Sequence, residues 1–481
     1  MRSNSITLIV IGAWLLASPL AVWAYIDAGG DRITLPELLL EFRDVAAVQI
    51  DKADLQRGAV LYRVQRSFQG KLADPIKHAL LSMGEVPAPL RGLAVGQPAV
   101  LFTRCMIDSR GVTLTNFGWY QVNDPPNEQD GWHRLAMLRE DLESAFLGTP
   151  EQLSEALSRL REGKRVVVRI RPRDCKPSES VLVLCDLDDP YNCPLAWDSA
   201  GPTLEQQPMK QWLADLKSGT VPQRVRAALA LAKLPATEES VTGLIAALRD
   251  RVAVVRAAAC ESLGGLKTDP KRVVPKLAKS LDDGDRFVCV SAARALAQYG
   301  AAAQPALPDL ARSLGDRDFV QDFRPMRANA AAEAIIRIAP EDPLTQRAFK
   351  RLEQRMLNDD RPDSYGTRVE GARILGRLGP VARPMLASLL RRLNDPDASV
   401  RLAAAHAVLR ISRKQGDHEL AVGALKKLVQ HQDSLVRLRV ARALADAPSR
   451  LANELYLILQ QDPSPSVRAL ALQAGGHPKA P

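Results

Sequence analysis

Two hydrophobic rhythms divide this chain. Beyond residue 205 apolar side chains recur at helical spacing: Val400, Ala403, Ala404, Ala407, Val408 and Ile411 share one stripe, and Leu307, Leu310 and Leu314 share another. Such stretches come in pairs. Residues 305–314 predict a helix, 315–318 a Gly-Asp-Arg-Asp turn and 328–338 a second helix; 384–393, 394–397 and 400–411 repeat the scheme. Before residue 206 the rhythm is shorter. Runs at 45–50, 60–66, 98–105, 112–122, 166–170 and 181–187 are rich in β-forming residues and bounded by Gly, Pro or Asp, which predicts strands. Residues 75–83, 140–147 and 151–163 read as helices. The expected architecture is multidomain: a β-rich α+β domain over 25–205, then an all-α solenoid over 206–478, joined near 198–208.

The helical half carries a recurring mark, usually an apolar residue, then Arg, then small residues. Its arginines are Arg226, Arg256, Arg327, Arg368, Arg401, Arg437 and Arg468, and Cys289 takes the Arg place in an eighth copy. The marks are 30, 33, 38, 41, 33, 36 and 31 residues apart. A period of that size signals stacked helical hairpins, which bury a continuous core only together. Alanine is frequent because neighbouring helices must approach closely. Asp250, Asp283, Asp395 and Asp462 each stand six residues before a mark. An Asp there is expected to cap the second helix, and the Arg to pair with the Asp of a neighbouring hairpin. Asp250, Arg256, Asp395, Arg401, Asp462 and Arg468 would then belong to a ladder that sets the stacking register. With Cys289 in the Arg place, one rung should be missing.

The L-x-D-x-D-x-x-V-R core and the proline near the start of the first helix resemble HEAT repeats across about residues 208–475. The resemblance implies an armadillo-like superhelix and a role in holding macromolecules. It also keeps an enzyme in view, because HEAT repeats occur in lyases that attach bilin chromophores. In the front half, the segment from Gly96 to Phe102, then Gly118-Trp119-Tyr120 and Gly131-Trp132, resembles an N-terminal module of exported bacterial HEAT-repeat proteins. That likeness implies a setting and no mechanism.

Two hairpins depart from the common length. Eight residues separate the last leucine of the first helix from the mark in Leu248 to Arg256 and in Leu393 to Arg401. The distance is thirteen from Leu314 to Arg327 and eleven from Leu357 to Arg368. Both insertions fall at the same place in consecutive hairpins, so their loops should project side by side. Phe319, Phe323 and Tyr365 on these loops, helped by Arg391, Arg392 and Arg401, form the candidate partner-binding rim. The plainer reading folds the two phenylalanines over an apolar helix edge and leaves the arginines on a solvated face.

Charge adds a contrast between the halves. The net charge is +10, yet residues 25–205 carry 21 Lys+Arg against 26 Asp+Glu, and residues 206–481 carry 43 against 29. A basic solenoid permits an anionic surface as partner, or docking of the acidic front of one molecule on the solenoid of another. Nucleic acid is disfavoured: residues 206–481 hold only eight aromatics for stacking, and no RRM, KH or zinc-finger pattern occurs. Arg2, the apolar 6–16 and Val22-Trp23-Ala24 read as a signal peptide over 1–24, so an exported protein, periplasmic or extracellular, is expected. If uncleaved, 6–26 is long enough to anchor the chain, and no later stretch is apolar enough to cross a membrane. Export would allow Cys105, Cys175, Cys185 and Cys193 to pair in any of three ways, whereas Cys260 and Cys289 read as buried small apolar residues.

No catalytic, cofactor or metal signature emerges. The histidines form no H-E-x-x-H and no compact group with carboxylates, and there is no C-x-x-C. Nucleophile elbow, Walker loop and dinucleotide fingerprint are missing from the sequence. Asp186, Asp188 and Asp189 lack the spacing of a calcium loop. Trp119, Tyr120 and Trp132 either line a groove for sugar or peptide or belong to the core. The sequence points to a non-catalytic, exported scaffold that binds a protein partner; the alternative is a ligand-binding or enzymatic front domain positioned by the solenoid. Replacing Phe319 and Phe323 together with Ala is expected to weaken partner capture and leave the melting temperature nearly unchanged. A large fall in that temperature would show that the rings are core.

Overall fold

A computed structural model describes residues 34–475, apart from internal segments at 56–57, 73, 80–87, 106–109, 117, 124–131, 139–141, 144, 173–174, 177, 188–193, 198–201, 315–325 and 359–364. The expected signal peptide, Phe319, Phe323, Asp188, Asp189 and Cys193 lie outside the described residues.

Seven strands of the front half close into a barrel. They are β1 Phe42–Asp54, β2 Ala59–Gln69, β3 Ile76–Ala79, β4 Pro98–Cys105, β5 Arg110–Thr115, β6 Gly118–Asn123 and β7 Trp132–Leu138, in the order β1-β2-β3-β7-β6-β5-β4. Only the β3–β7 pair is parallel. Strand alternation sorts the side chains: Ala46, Val48, Ile50, Ala99, Leu101, Tyr120 and Val122 fill the barrel. Their neighbours Val45, Val100, Phe102 and Trp119 pack outward in a second core with helices α1 (Leu35–Glu41) and α2 (Pro150–Arg161). Three register shifts between β1 and β2 supply local bending that helps a sheet to close. In the interior the Tyr62 and Tyr120 hydroxyls lie 2.6 Å apart, and His78 Nδ1 is 2.9 Å from the Tyr120 hydroxyl. Burial pushes both phenols above their ordinary pKa.

Three sequence expectations change here. Residues 75–83 were expected to be helical, but 76–79 form β3, because Ile76 and His78 alternate into the barrel with Lys77 between them. The run 112–122 is two strands, turning before Gly118, whose φ of +104° suits glycine. Of residues 140–147, expected to be helical, the described ones include Glu143 and Leu147, which bond a separate hairpin of β8 (Val166–Ile170) and β9 (Val181–Cys185), Leu147 N donating to Arg169 O at 2.8 Å and Arg171 N to Glu143 O at 2.9 Å. Helix α2 starts as expected, its Thr149–Gln152 capping box satisfying both partners' backbone N–H groups.

Sixteen α-helices make up the back half among the described residues, paired as eight hairpins. In order they are α3 Met209–Ser218, α4 Val221–Leu231, α5 Glu238–Ala247, α6 Ala253–Leu266, α7 Pro270–Lys279, α8 Arg286–Tyr299, α9 Leu307–Ser313 and α10 Met326–Ile338. There follow α11 Pro343–Leu352, α12 Tyr365–Leu378, α13 Leu386–Arg392, α14 Ala398–Ile411, α15 Gln415–Lys426, α16 Ser434–Leu444, α17 Ser449–Leu459 and α18 Pro465–Gly475. The small residues of the marks sit at zero or near-zero exposure between successive second helices, as Ala228, Cys260, Ala372, Ala404, Ala405 and Ala441 do.

The ladder has a definite chemistry. Arg256 Nη1 donates to the Asp250 and Arg251 carbonyls of its own turn, at 2.9 and 3.3 Å, while Nε and Nη2 grip Asp283 of the next hairpin at 2.8 and 2.7 Å. Arg437 does the same with the His431 and Gln432 carbonyls and Asp462. Arg368 grips Asp395 at 3.0 and 3.2 Å. Burial pushes the Asp462 carboxyl up, but Arg437 and the Ser464 N–H outweigh it and hold the group below its ordinary value. Each rung Arg is the fourth residue of its second helix, and for that reason the first rung belongs to Arg224, 2.8 Å from Asp250, and not to Arg226.

The ladder aspartates are not the helix caps expected of them. Asp250, Asp283, Asp395 and Asp462 accept from the backbone N–H two residues on and so close the turn. Capping falls to the next acid, Asp285 or Asp397, with Asp433 doing so in the following hairpin. At the marker with Cys in the Arg place, the Cys289 thiol keeps the own-turn contact, donating to Asp283 O at 3.1 Å, and is too short to reach onward. Arg327 of the following hairpin reaches back to Leu281 O at 3.0 Å, beside that gap.

The Arg368–Asp395 pair is nearly sealed, with side-chain exposures of 3% and 0%. Replacing Asp395 with Ala strands a buried guanidinium and is expected to cost about 3–5 kcal/mol in denaturant unfolding. Arg391→Ala, whose side chain is 60% exposed, should cost less than about 1 kcal/mol. Equal losses would remove the ladder as the source of register.

Candidate functional site

The front half docks on the second helices of the solenoid. On α1, Glu37 lies 3.5 Å from Arg286 at the start of α8, and both side chains are buried. At the other end, Arg161 in the last turn of α2 meets Asp433, the cap of α16, at 2.5 Å. Arg439 Nη2 donates to Leu187 O at 2.7 Å, and Arg442 Nη2 to Gly163 O. Gly163 has φ +71° and stands where a Cβ would collide with Leu438, so the close approach requires glycine. Trp197 crosses Trp212 of α3 edge-on at 6.1 Å, and one apolar core runs through both halves. The two ion pairs run in opposite senses, with the acid on the front half at Glu37 and on the solenoid at Asp433.

The Arg161 contact sits where the ladder is interrupted. His431 occupies the place of the rung Asp and accepts from Asp433 N through Nδ1 at 3.1 Å. Arg401, the rung Arg behind it, clamps its own Asp395 and Pro396 carbonyls at 2.7 and 2.9 Å and has no carboxylate ahead. Asp433, the cap of α16, accepts from the Leu435 N–H and from Arg161 of the front half. Burial raises its carboxyl, and Arg161, the Leu435 N–H and His431 together bring it below its ordinary value.

Between the β8–β9 hairpin and helices α12, α14 and α16 the docking leaves a cleft of about 360 Å³. Its floor is small and apolar, from Ala372, Gly376, Ala403 and Ala407. A Cβ on Gly376 would lie 3.3 Å from Ala407 Cα, so α12 and α14 run closely together beneath it. The walls are cationic. Arg165 is paired with Asp186 at 2.9 Å, Arg377 with Glu333 at 3.1 Å and Glu370 at 3.4 Å, and His406 Nε2 lies 2.9 Å from Asp446. Arg373, half-buried on α12, and Arg410, exposed on α14, line the same cleft with no ion pair or hydrogen bond among the described residues.

The residues expected to form a rim are spread over different environments. Tyr365 is half-buried against the core, and burial pushes its phenol up to about 12. Arg392 pairs with Asp395 at 3.2 Å and Arg401 is spent on its own turn, so neither is a free surface cation. Arg391 is exposed and reaches Ser388 at 2.8 Å and Glu353 at 3.6 Å. Trp119 and Tyr120 are buried, Trp119 Nε1 donating to Phe146 O at 3.2 Å. Among the described residues no group of His, Cys, Asp or Glu is placed to hold a metal, and no helix is long and apolar enough to cross a membrane. Burial pushes the Cys289 thiol up to about 12 and raises Cys260 as well; both are buried in the repeats.

Sequence reasoning passed over Glu37, Arg161, Arg286 and Asp433. One signal was present: α16 carries Arg439 and Arg442 beyond its rung Arg437, and its turn has His431 where the pattern asks for Asp.

Stacked hairpins locked by an Arg–Asp ladder define a helical-repeat protein. A family model described as HEAT repeats matches residues 210–297, 241–336 and 386–476, all within the helical half. Comparison with curated proteins gave no match. Among solved structures, the chain is similar to human deoxyhypusine hydroxylase in complex with glycerol, at 21% identity over 56% of this chain and 95% of that one, TM-score 0.25. It is similar also to the CpcE–CpcF complex of phycocyanin lyase from Nostoc sp. PCC7120, at 19% identity over 59% and 99%, TM-score 0.26. Kap121p matches at 15% identity over 55% and 37%, TM-score 0.28.

The docking contact has a pH signature. Because the folded Asp433 carboxyl lies below its ordinary value, the stability it contributes is present above the ordinary carboxylate range and is lost as pH falls through its folded value. Arg161→Ala is expected to cost about 1 kcal/mol at pH 7, and the gap from wild type should shrink below about pH 4. A gap independent of pH would mean that Asp433 does not carry the contact.

Proposed function

We propose that the protein is an exported, non-catalytic scaffold that binds a partner protein, with the solenoid as a rigid frame holding its own front domain. The observation that carries this reading is the ladder. Along the repeats, Asp250, Asp283, Asp395 and Asp462 are committed to arginine pairs that set stacking register, which supports a rigid frame. HEAT repeats in this role supply an extended surface, and the fused front domain narrows the part of it open to a partner. Export is supported by the charge, apolar run and small-residue exit of residues 1–24.

The test is capture from a native cell-envelope extract on immobilised protein spanning residues 25–481, washed first at low and then at high salt. A defined protein retained at high salt is the expected result. Recovery of only salt-labile, mixed anionic material would overturn the reading, because generic charge contacts weaken with ionic strength.

A further inference from the structure

We propose that the seam cleft takes an acidic, partly apolar peptide segment of a partner protein. Carboxylates of the segment would engage Arg373 and Arg410, and its apolar side chains would lie on the Ala372, Gly376, Ala403 and Ala407 floor. This deepens the scaffold reading and rests on it. Three features of the cleft carry the inference.

The first is uncompensated charge at a formed concavity. Arginines close to the cleft are consumed: Arg368 and Arg437 by ladder aspartates, Arg377 by Glu333 and Glu370, Arg401 by carbonyl groups. Arg373 and Arg410 have no such partner among the described residues, although both line the cleft. Arginine in that position offers a planar fork suited to a carboxylate.

The second is the floor. The floor residues are nearly buried and put no polar side chain at the base of the cleft, so nothing there would hold a bare oxyanion, whereas a segment alternating acidic and apolar residues meets both the arginines and the apolar base. The opening of about 360 Å³ lies in the size range of ligand sites and admits a few side chains. The third is that no Phe, Tyr or Trp is in the lining and its one imidazole, His406, is paired with Asp446, which makes a poor stacking platform for bases.

The experiment uses the whole chain and a fluorescent twelve-residue peptide of alternating Glu and Leu, titrated by anisotropy. Two further probes accompany it: the same peptide with Gln for Glu, and a single-stranded oligonucleotide of equal charge. Saturable binding of the acidic peptide is expected, with the Gln analogue and the Arg373→Glu/Arg410→Glu double variant each weaker by about tenfold or more. The double variant should keep the wild-type melting temperature, since neither side chain holds a structural contact. Arg251→Glu, an exposed change outside the cleft, should bind as wild type does.

Equal binding by the double variant, equal binding of the Gln analogue, or tighter binding of the oligonucleotide would each overturn the proposal. So would no peptide binding at all. Because the titration needs no native partner, its failure leaves the capture experiment standing, and a failed capture does not alter the titration.

Discussion

A buried guanidinium with two obligations holds this molecule in register. In Arg224, Arg256 and Arg437 one edge satisfies carbonyl groups in the turn that precedes the arginine's own helix, and the other edge grips the turn aspartate of the next hairpin. The first set of bonds makes the turn local and rigid; the second makes it contagious along the stack. Neither partner can be removed alone without stranding the other in a low-dielectric seam, and such losses are several times larger than those of surface pairs. Small residues between the second helices complete the constraint, because they allow the close packing that buries the pair. Sequence spacing, turn geometry and stacking are thus one feature seen at three scales.

From that constraint follows the placement of the front domain. A solenoid locked by its ladder presents the second helices as a fixed surface, and the barrel with its β8–β9 hairpin is seated on it by charge at both ends and by a shared apolar core between. The seat is more than electrostatic: Gly163, at φ +71°, lies against the Leu438 and Arg442 side chains, and the Leu187 and Gly163 carbonyls accept from Arg439 and Arg442. The ion pairs at its two ends run in opposite senses, so the seat does not simply set an acidic half against a basic one.

The repeats were legible because each is a local pattern restated eight times, so that an error in one copy is corrected by the others. Arg226 shows the limit. It fits the apolar–Arg mark, yet the helix begins at Val221, and the fourth position, which alone faces the next turn, is Arg224. Strands of the barrel showed through their alternation, with β3 hidden because four residues between turns carry too little pattern to separate strand from helix. Barrel closure and docking were not legible at all. Arg161 and Asp433 are far apart in sequence and obey no period, and only the completed tertiary fold makes them neighbours.

Departures from the repeat proved more informative than the repeat. Histidine at position 431 removes one rung and leaves Arg401 without a carboxylate partner among the described residues, and the cap beside it, Asp433, receives Arg161. The cleft lies beside this interruption, walled by α12, α14 and α16, the helices on both sides of it. At this one turn the stack gives up a rung and the cap beside it carries an interdomain bond, and the space left where the two surfaces fail to meet is where Arg373 and Arg410 stand without partners among the described residues.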